Sequence, residues 1–544
     1  MREIKIKTLT QMLTEAPMKL TKPERYTLIA ALLSGLAAHL YQYTNKLYNY
    51  DDLFTNPGGF GTGVEYGRWF LQLMGEWMNE FLGNYSIPLF NGLFGLVLLT
   101  VCAVMMTRLF DVKDLTLAAF VGILFVTIPS VVCMNFFMFT LVYYAIGIFF
   151  SFLAGYLMVR YGKNIPLQIL AVLLLGCAVG TYQAYFVNTL CILVLSVVML
   201  AAFSGTEVTA KHIFLTSVRY VVSLISGMAC YFICMKLSLL HWDVALGGYQ
   251  GIENMGKLNL EAIPQMLYDC YHSFFWFPRT DIFYENPTVL VKGAILLMYL
   301  VSAVLSVYAL IRLRRQTGKL VLLLLSMAAF PVAVFFIYVM VPDGYIYPLM
   351  TYSVVFIYLF ILVLLDKSIQ TEASGLWYRK LAGQVMHWVV SLSAILIAVI
   401  YIWNANGNYL SLWYTQQHDI AYFQTMLTQI RSAEGYRDGL PFAIIGRNAE
   451  IKDSAHTTGS LIGAEFNLPG KLESNINGYS RWHILIQYLG YNPTFLFDDK
   501  TSEIAKWEEV QAMPCYPADG SIQIINDVVV LKLSDEIGAV KKVP

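Results

Sequence analysis

The sequence predicts a polytopic α-helical membrane protein with about eleven transmembrane helices and a small C-terminal α/β domain. Three observations lead there. The 544-residue chain is 57% hydrophobic and only 13% charged, about half the charged fraction of an average soluble protein, and its mean hydropathy is +0.58. Its apolar residues gather in runs long enough to cross ~30 Å of hydrocarbon. From about residue 405 onward the composition returns to ordinary polarity. The lipid bilayer is therefore the expected surrounding of most of the chain. The formal net charge of +0 supplies no field that would gather nucleic acid, and no nucleic-acid partner is expected.

Residues 1–25 mix charges with apolar positions (Ile4, Ile6, Leu9, Met12, Leu13). This stretch reads as an amphipathic segment on the inner membrane surface. It does not read as a signal peptide, because the charged region is long and no small-x-small cleavage site follows the first apolar run. Spanning segments follow near 26–44, 86–107, 115–132, 136–159, 165–181, 184–204, 213–235, 288–311, 319–341, 346–365 and 384–403. Together they make a multi-span domain over 26–404. Segments 115–159 and 165–204 read as hairpins with almost no loop at their outer ends.

Basic residues set the orientation. With the N-terminus inside, roughly eighteen Lys/Arg fall in the N-terminal segment and the short inner loops, against about five on the outer loops. Arg108, Lys113, Arg160, Lys163, Lys211, Arg312, Arg314, Arg315, Lys367, Arg379 and Lys380 are among the inner ones. An odd number of spans sends the tail, residues 405–544, to the extracytoplasmic side. Within it, Phe442–Ile445 and Val528–Leu533 read as strands and His418–Arg431 and Trp482–Leu489 as helices.

Two outer loops are long. Residues 45–85 carry Asp51-Asp52, then Gly67-Arg68, then an amphipathic stretch (Trp69, Phe70, Leu73, Met74, Trp77, Met78, Phe81) expected to lie in the interface. Residues 236–287 carry a Gly-rich stretch and an aromatic run ending at Arg279, a composition suited to headgroup depth. Of the eight cysteines, only Cys270 and Cys515 fall in polar regions. No spacing marks a disulfide or a zinc site, so free thiols and no metal are expected.

The chemistry-bearing residues collect at the outer boundary. Asp51 and Asp52 repel as neighbours, which raises the proton affinity of one and suits a general base. The same pair would also serve as a solvated acidic loop. Arg68, at the start of an interfacial helix, can hold a phosphate or snorkel to headgroups. Tyr182 and Gln183, in the tight turn between two spans, can meet sugar hydroxyls or pack in an aromatic belt. His241, Asp243 and Glu253 carry less weight as loop residues, and Pro342-Asp343-Gly344-Tyr345 has the residue types of any turn.

Taken together, the acidic pair followed by Gly-Arg, the Tyr-Gln of the mid-chain hairpin and the polar tail resemble the bacterial glucosyltransferase II family, which glucosylates O-antigen and related surface glycans. The resemblance implies a glycosyltransferase of the GT-C type in the bacterial cytoplasmic membrane, with a polyprenyl-phosphate sugar as donor and a surface glycan as acceptor. It implies Asp51 or Asp52 as general base, Arg68 as a donor-phosphate contact, and Tyr182 and Gln183 at the sugar; Arg279, read from its place in the second outer loop, is a further candidate for donor phosphate or sugar binding. It implies no cofactor, and membrane partners such as a flippase. One position departs from the pattern: where a basic residue is expected, the chain reads Asp343-Gly344-Tyr345. The competing class, a transporter of lipid-linked sugars, would place ionisable residues along a path within the spans. Here the mid-span segments are nearly free of them.

Overall fold

The computed structural model describes residues 20–47, 52, 63–83, 86–248, 260–277, 289–341, 346–372, 377–446, 479–497 and 499–535. Its helices are α1 Lys22–Thr44, α2 Trp69–Leu82, α3 Pro88–Leu109, α4 Leu115–Thr127, α5 Pro129–Phe136, α6 Leu141–Arg160, α7 Ile165–Thr181, α8 Phe186–Phe203, α9 Ala210–Trp242, α10 Ile263–Trp276, α11 Val289–Arg312, α12 Thr317–Val334, α13 Ile337–Met340, α14 Val355–Glu372 and α15 Trp377–Ser432. A helix occupies each segment expected to span. Among the described residues nine helical stretches are long and apolar enough to cross a membrane, while α7 has 17 residues and α1 is too polar to qualify on composition.

The reason for the polarity of α1 lies in its packing. Its buried face is Glu24, Thr27, Ala31, Ser34, Gly35, Ala38, His39, Gln42 and Tyr43, a 3.6-residue stripe made mostly of small and hydrogen-bonding side chains. Ile29, Leu33 and Leu40 on the other side are 54%, 65% and 45% exposed. A soluble helix shows the reverse pattern. In lipid there is no water to favour apolar contact between helices, so close approach and hydrogen bonding drive association. Thr27 Oγ1 donates to the Ala118 carbonyl at 2.8 Å, and a Cβ on Gly122 would lie 2.2 Å from the Thr27 carbonyl oxygen. The α1 and α4 backbones therefore nearly touch. Deeper along α1, His39 is fully buried, with Nδ1 2.8 Å from the Tyr409 hydroxyl and Nε2 2.7 Å from the Val126 carbonyl. Helix starts are fixed by local chemistry: the Thr21/Glu24 capping box, Asp114 accepting from Thr116 and Leu117 N–H, and Asn164 accepting from Leu167 N–H.

Bonds between helix termini define two ends. At one, Arg108 grips both oxygens of Glu24 (2.8 and 2.7 Å), His387 meets Asp114 at 3.1 Å, and the Lys113 and Asp114 amides donate to Asp366. We call this the basic end. At the other, Phe139 N–H donates to Asp52 at 3.2 Å and Gln416 donates to the Lys46 carbonyl at 2.9 Å.

α15 runs unbroken past residue 404 to Ser432 and joins the membrane bundle to the tail. There β1 Phe442–Ile445, α16 Tyr479–Gln487, β2 Phe495–Leu496, α17 Asp499–Ile504, α18 Glu508–Ala512, β3 Ile522–Ile525 and β4 Val528–Lys532 follow. The sheet order is β2-β1-β4-β3. β1 is parallel to β2 and β4, and β3 is antiparallel to β4. Asn526 and Asp527, both at positive φ (49° and 58°), make the two-residue hairpin between β3 and β4. Trp482 of α16 lies on Phe423 of α15, ring centroids 5.1 Å apart. All eight cysteines are free thiols.

The contact at Gly122 gives a stability test. Gly122→Leu forces α4 away from α1 and is expected to cost about 3 kcal/mol, read as a lowered unfolding temperature in detergent. Gly293→Ala, with nothing within 4 Å of the new Cβ, is expected to leave that temperature unchanged or raise it.

Candidate functional site

The α7–α8 hairpin turns through Tyr182, whose backbone is extended (φ −156°, ψ 122°), and one short 3-10 turn over Gln183–Tyr185. Room for this turn comes from Gly147 on α6: a Cβ there would lie 2.8 Å from the Tyr185 ring. Tyr182 is consequently buried, 5% exposed, against the Tyr144 ring at 5.4 Å and the Tyr185 ring at 5.5 Å.

Gln183 ties the turn to the first long loop. Its Nε2 donates to the Tyr66 carbonyl at 2.8 Å and to the Tyr231 hydroxyl at 3.3 Å. Tyr66 closes a 3-10 turn over Val64–Tyr66 that Gly67 ends in the left-handed region (φ 69°), a conformation glycine adopts without steric cost. That reversal delivers Arg68 to the N-cap of α2, and its guanidinium lies 4.9 Å from the Tyr182 ring centroid. A cation–π contact of this kind fixes the guanidinium plane. Next to it Trp69 packs so closely on α7 that a Cβ on Gly180 would lie 2.5 Å from the indole. The Trp69 Nε1 and Tyr185 hydroxyl are buried without a hydrogen-bond partner among the described residues. Buried donors without partners are costly in a finished core and fit a place where a polar ligand is expected.

The second long loop adds two ties to the same region. Gly247 N–H donates to the Glu65 carbonyl at 2.7 Å, and Trp242 Nε1 donates to Glu76 at 3.0 Å. His241 stacks edge-on against Trp242 at 4.7 Å, and Asp243 ends α9 in the left-handed region.

Asp52 sits at the same end. Phe139, which donates to it, lies in the turn before α6 and five residues ahead of Tyr144. The Asp52 carboxylate and the Arg68–Tyr182 pair thus both meet the N-terminal stretch of α6, through Phe139 and Tyr144. The tail reaches this point too. Burial raises the pKa of the Tyr488 hydroxyl, and the negative charge of Asp52 raises it further. Tyr488 accordingly stays protonated, a donor held near a carboxylate.

Of the residues singled out in the sequence, Arg68, Tyr182 and Gln183 come together, and Asp52 lies at their end of the bundle. Asp51, Arg279, Glu253 and the turn 342–345 lie outside the described residues. Sequence reasoning missed Tyr144 and Tyr231, which stand in apolar runs, and Tyr488; Tyr185 belongs to the same turn as Tyr182 and Gln183. Among the described residues no three His, Cys, Asp or Glu side chains cluster as a metal site.

Over residues 40–358 the sequence matches the family described as Glucosyl transferase GtrII. No curated protein matches the chain. Among solved structures it is similar to the oligosaccharyltransferase of Archaeoglobus fulgidus in the apo form, with a TM-score of 0.37 and 11% identity. That similarity covers 71% of this chain and 57% of the archaeal protein.

The amide tie is open to direct test. Gln183→Leu removes the donor to Tyr66 and is expected to cost about 1–3 kcal/mol. Amide hydrogen exchange over Tyr66–Arg68 is expected to rise while that of α8 stays unchanged.

Proposed function

The chain belongs to the glucosyl transferase GtrII family, and on that premise we propose that it transfers a hexose, glucose by the family's description, from a polyprenyl-phosphate donor to a surface glycan such as O-antigen. The reaction takes place at the outer face of the bacterial cytoplasmic membrane. The observation that carries this reading is the Arg68 guanidinium held over Tyr182 at the end of the bundle that also holds Asp52.

Transfer needs two charges managed at once. The acceptor hydroxyl loses its proton to a carboxylate as its oxygen attacks the anomeric carbon. The bond from that carbon to the phosphate oxygen breaks, and its electron pair leaves with the polyprenyl phosphate. The added negative charge on the phosphate is met by Arg68 and by the N-terminal amides of α2, a 14-residue helix. Asp51 or Asp52 takes the proton. The Phe139 amide bond to Asp52 fixes the direction of that carboxylate. Tyr182 and Gln183 line the sugar, and Arg279 assists at the phosphate. The charge bias of the loops supports placing Asp52 outside and Arg108, Lys113, Arg160 and Lys163 inside. Within the spans the buried imidazole of His39 is bonded on both sides, which favours a structural role over a transport path.

Membrane vesicles given polyprenyl-phosphate glucose and acceptor glycan test the chemistry. Asp51→Asn or Asp52→Asn is expected to lower kcat by about 10²–10⁴-fold at unchanged protein level. Full turnover in both single variants and the double variant would sink the base assignment. Arg68→Ala is expected to lose transfer, and Arg68→Lys to restore only part of it, because a point charge lacks the planar fork. For the orientation, a cysteine at the exposed position Asn79 is expected to react with an impermeant thiol reagent in intact spheroplasts above the wild-type background. Labelling only after lysis would reverse the topology.

A further inference from the structure

The basic end holds a cavity that the proposed reaction does not use. It has a volume of about 930 Å³ and is walled by the facing ends of α3, α6, α7, α8, α9 and α14. Its charged lining is one-sided. Arg160, Lys163, Arg219 and Lys367 are cationic, His212 adds two ring nitrogens, and Asp111 is the one carboxylate. Asp111 is already engaged by Lys113 and by Lys367 at 3.5 Å. No carboxylate lies within ion-pairing distance of Arg160, Lys163 or Arg219 among the described residues. Beneath the cavity wall at Ser204 lies a further cation: Lys319, 6% exposed, donates to the Ser204 and Gly205 carbonyls at 3.3 and 2.6 Å.

Arg219 is placed with care by the backbone. A Cβ on Gly162 would lie 2.1 Å from its Nη1, so the guanidinium rests where only glycine leaves room. Its Nη2 reaches the Met158 carbonyl at 3.5 Å, and its plane lies 5.2 Å from the Tyr220 ring centroid. Its Nε–H is buried without a hydrogen-bond partner among the described residues. Gathered cations with one committed counter-charge and a buried donor left over describe a site for an anion. The remaining lining names its kind: Leu109, Phe110, Val159, Met199 and Phe203 are apolar, and neighbouring Ile165 and Phe214 are 71% and 55% exposed. A wall of this type accepts an acyl or prenyl chain beside a charged head.

We propose that this cavity binds a phosphate group, that of an anionic lipid headgroup, at the membrane end opposite Asp52. Arg160, Lys163 and Arg219 hold the phosphate, and the apolar wall takes the first carbons of the chain. Such a lipid bridges α6, α7 and α9 and fastens the base of the hairpin whose other end carries Tyr182.

The whole chain purified in a zwitterionic detergent tests this with phosphatidylglycerol, phosphatidylcholine and inorganic phosphate as separate additions. Phosphatidylglycerol is expected to raise the unfolding temperature and phosphatidylcholine to do so far less. Arg219→Gln with Lys163→Gln is expected to weaken the phosphatidylglycerol effect at least about tenfold in concentration. Gly162→Ala, which displaces only the end of the Arg219 side chain, is expected to weaken it without lowering stability in the absence of lipid. If inorganic phosphate reproduces the shift and the variants abolish it, the phosphate site stands and its ligand is soluble. If phosphatidylglycerol gives no shift and phosphate none, or if the variants keep the full shift, the proposal is overturned.

Discussion

The constraint on which the structure depends is that hydrocarbon offers no partner to a polar group, so one left unsatisfied by protein within the bundle is costly. α1 shows the consequence most directly. Thr27, His39 and Gln42 each bond to a carbonyl of another helix, at Ala118, Val126 and Asn135. The bonds select one rotation of α1 and one depth against α4. With that pair fixed, Gly35 on α1 and Gly92 on α3 admit Leu96 and Tyr43 at distances no Cβ would allow. The hydrophobic effect, which orders a soluble core, here only keeps the outer faces in lipid.

The same constraint drives the ionisable groups to the two ends, where water or headgroups are near. The ends then diverge in chemistry. The basic end closes carboxylates against amides and cations, as at Glu24–Arg108 and at Asp366 under the Lys113 and Asp114 amides. The Asp52 end brings together a carboxylate held by the Phe139 amide, a guanidinium over the Tyr182 ring, and buried donors left over at Trp69 and Tyr185. Closed polar networks confer stability, while buried donors left over are what a polar substrate can satisfy.

How much of this was legible in the sequence follows from what each residue contrasts with. The spans were legible because their length and composition are set by the bilayer rather than by a particular neighbour. Tyr182-Gln183 was legible because a polar amide interrupts two apolar runs. Tyr144 and Tyr231 were not, since an aromatic in a spanning helix looks like belt or core until its neighbour is known. Arg219 was hidden in a similar way, one cation within a segment that otherwise reads as lipid-facing. The tail strands Phe442–Ile445 and Val528–Lys532 were legible from their apolar runs, but β2 and β3 were not. β2 has two residues, and β3 buries only its last residue, Ile525. That Tyr488 feels the charge of Asp52 is a coupling across most of the chain, and no local pattern encodes it.

The link between those distant points is α15. From His387, bonded to Asp114, to Gln416, bonded to the Lys46 carbonyl, it rises about 44 Å, the thickness of a bilayer with its headgroups. Between them Tyr401 meets Tyr358 at 2.6 Å, Asn406 bonds the Ala37 carbonyl at 2.9 Å, and Tyr409 meets His39. Above them Phe423 carries Trp482 and with it the tail. One helix therefore registers the basic end, the buried polar face of α1 and the tail against a single ruler. A break in α15 at residue 404, where composition changes, would leave the tail free to turn. Continuity of the helix instead brings Tyr488 within electrostatic range of Asp52, so the tail takes part in the carboxylate's electrostatic surroundings. The long helix does for the tail what the Gln183 amide does for Arg68: each converts a distant stretch of sequence into a fixed position at the same membrane surface.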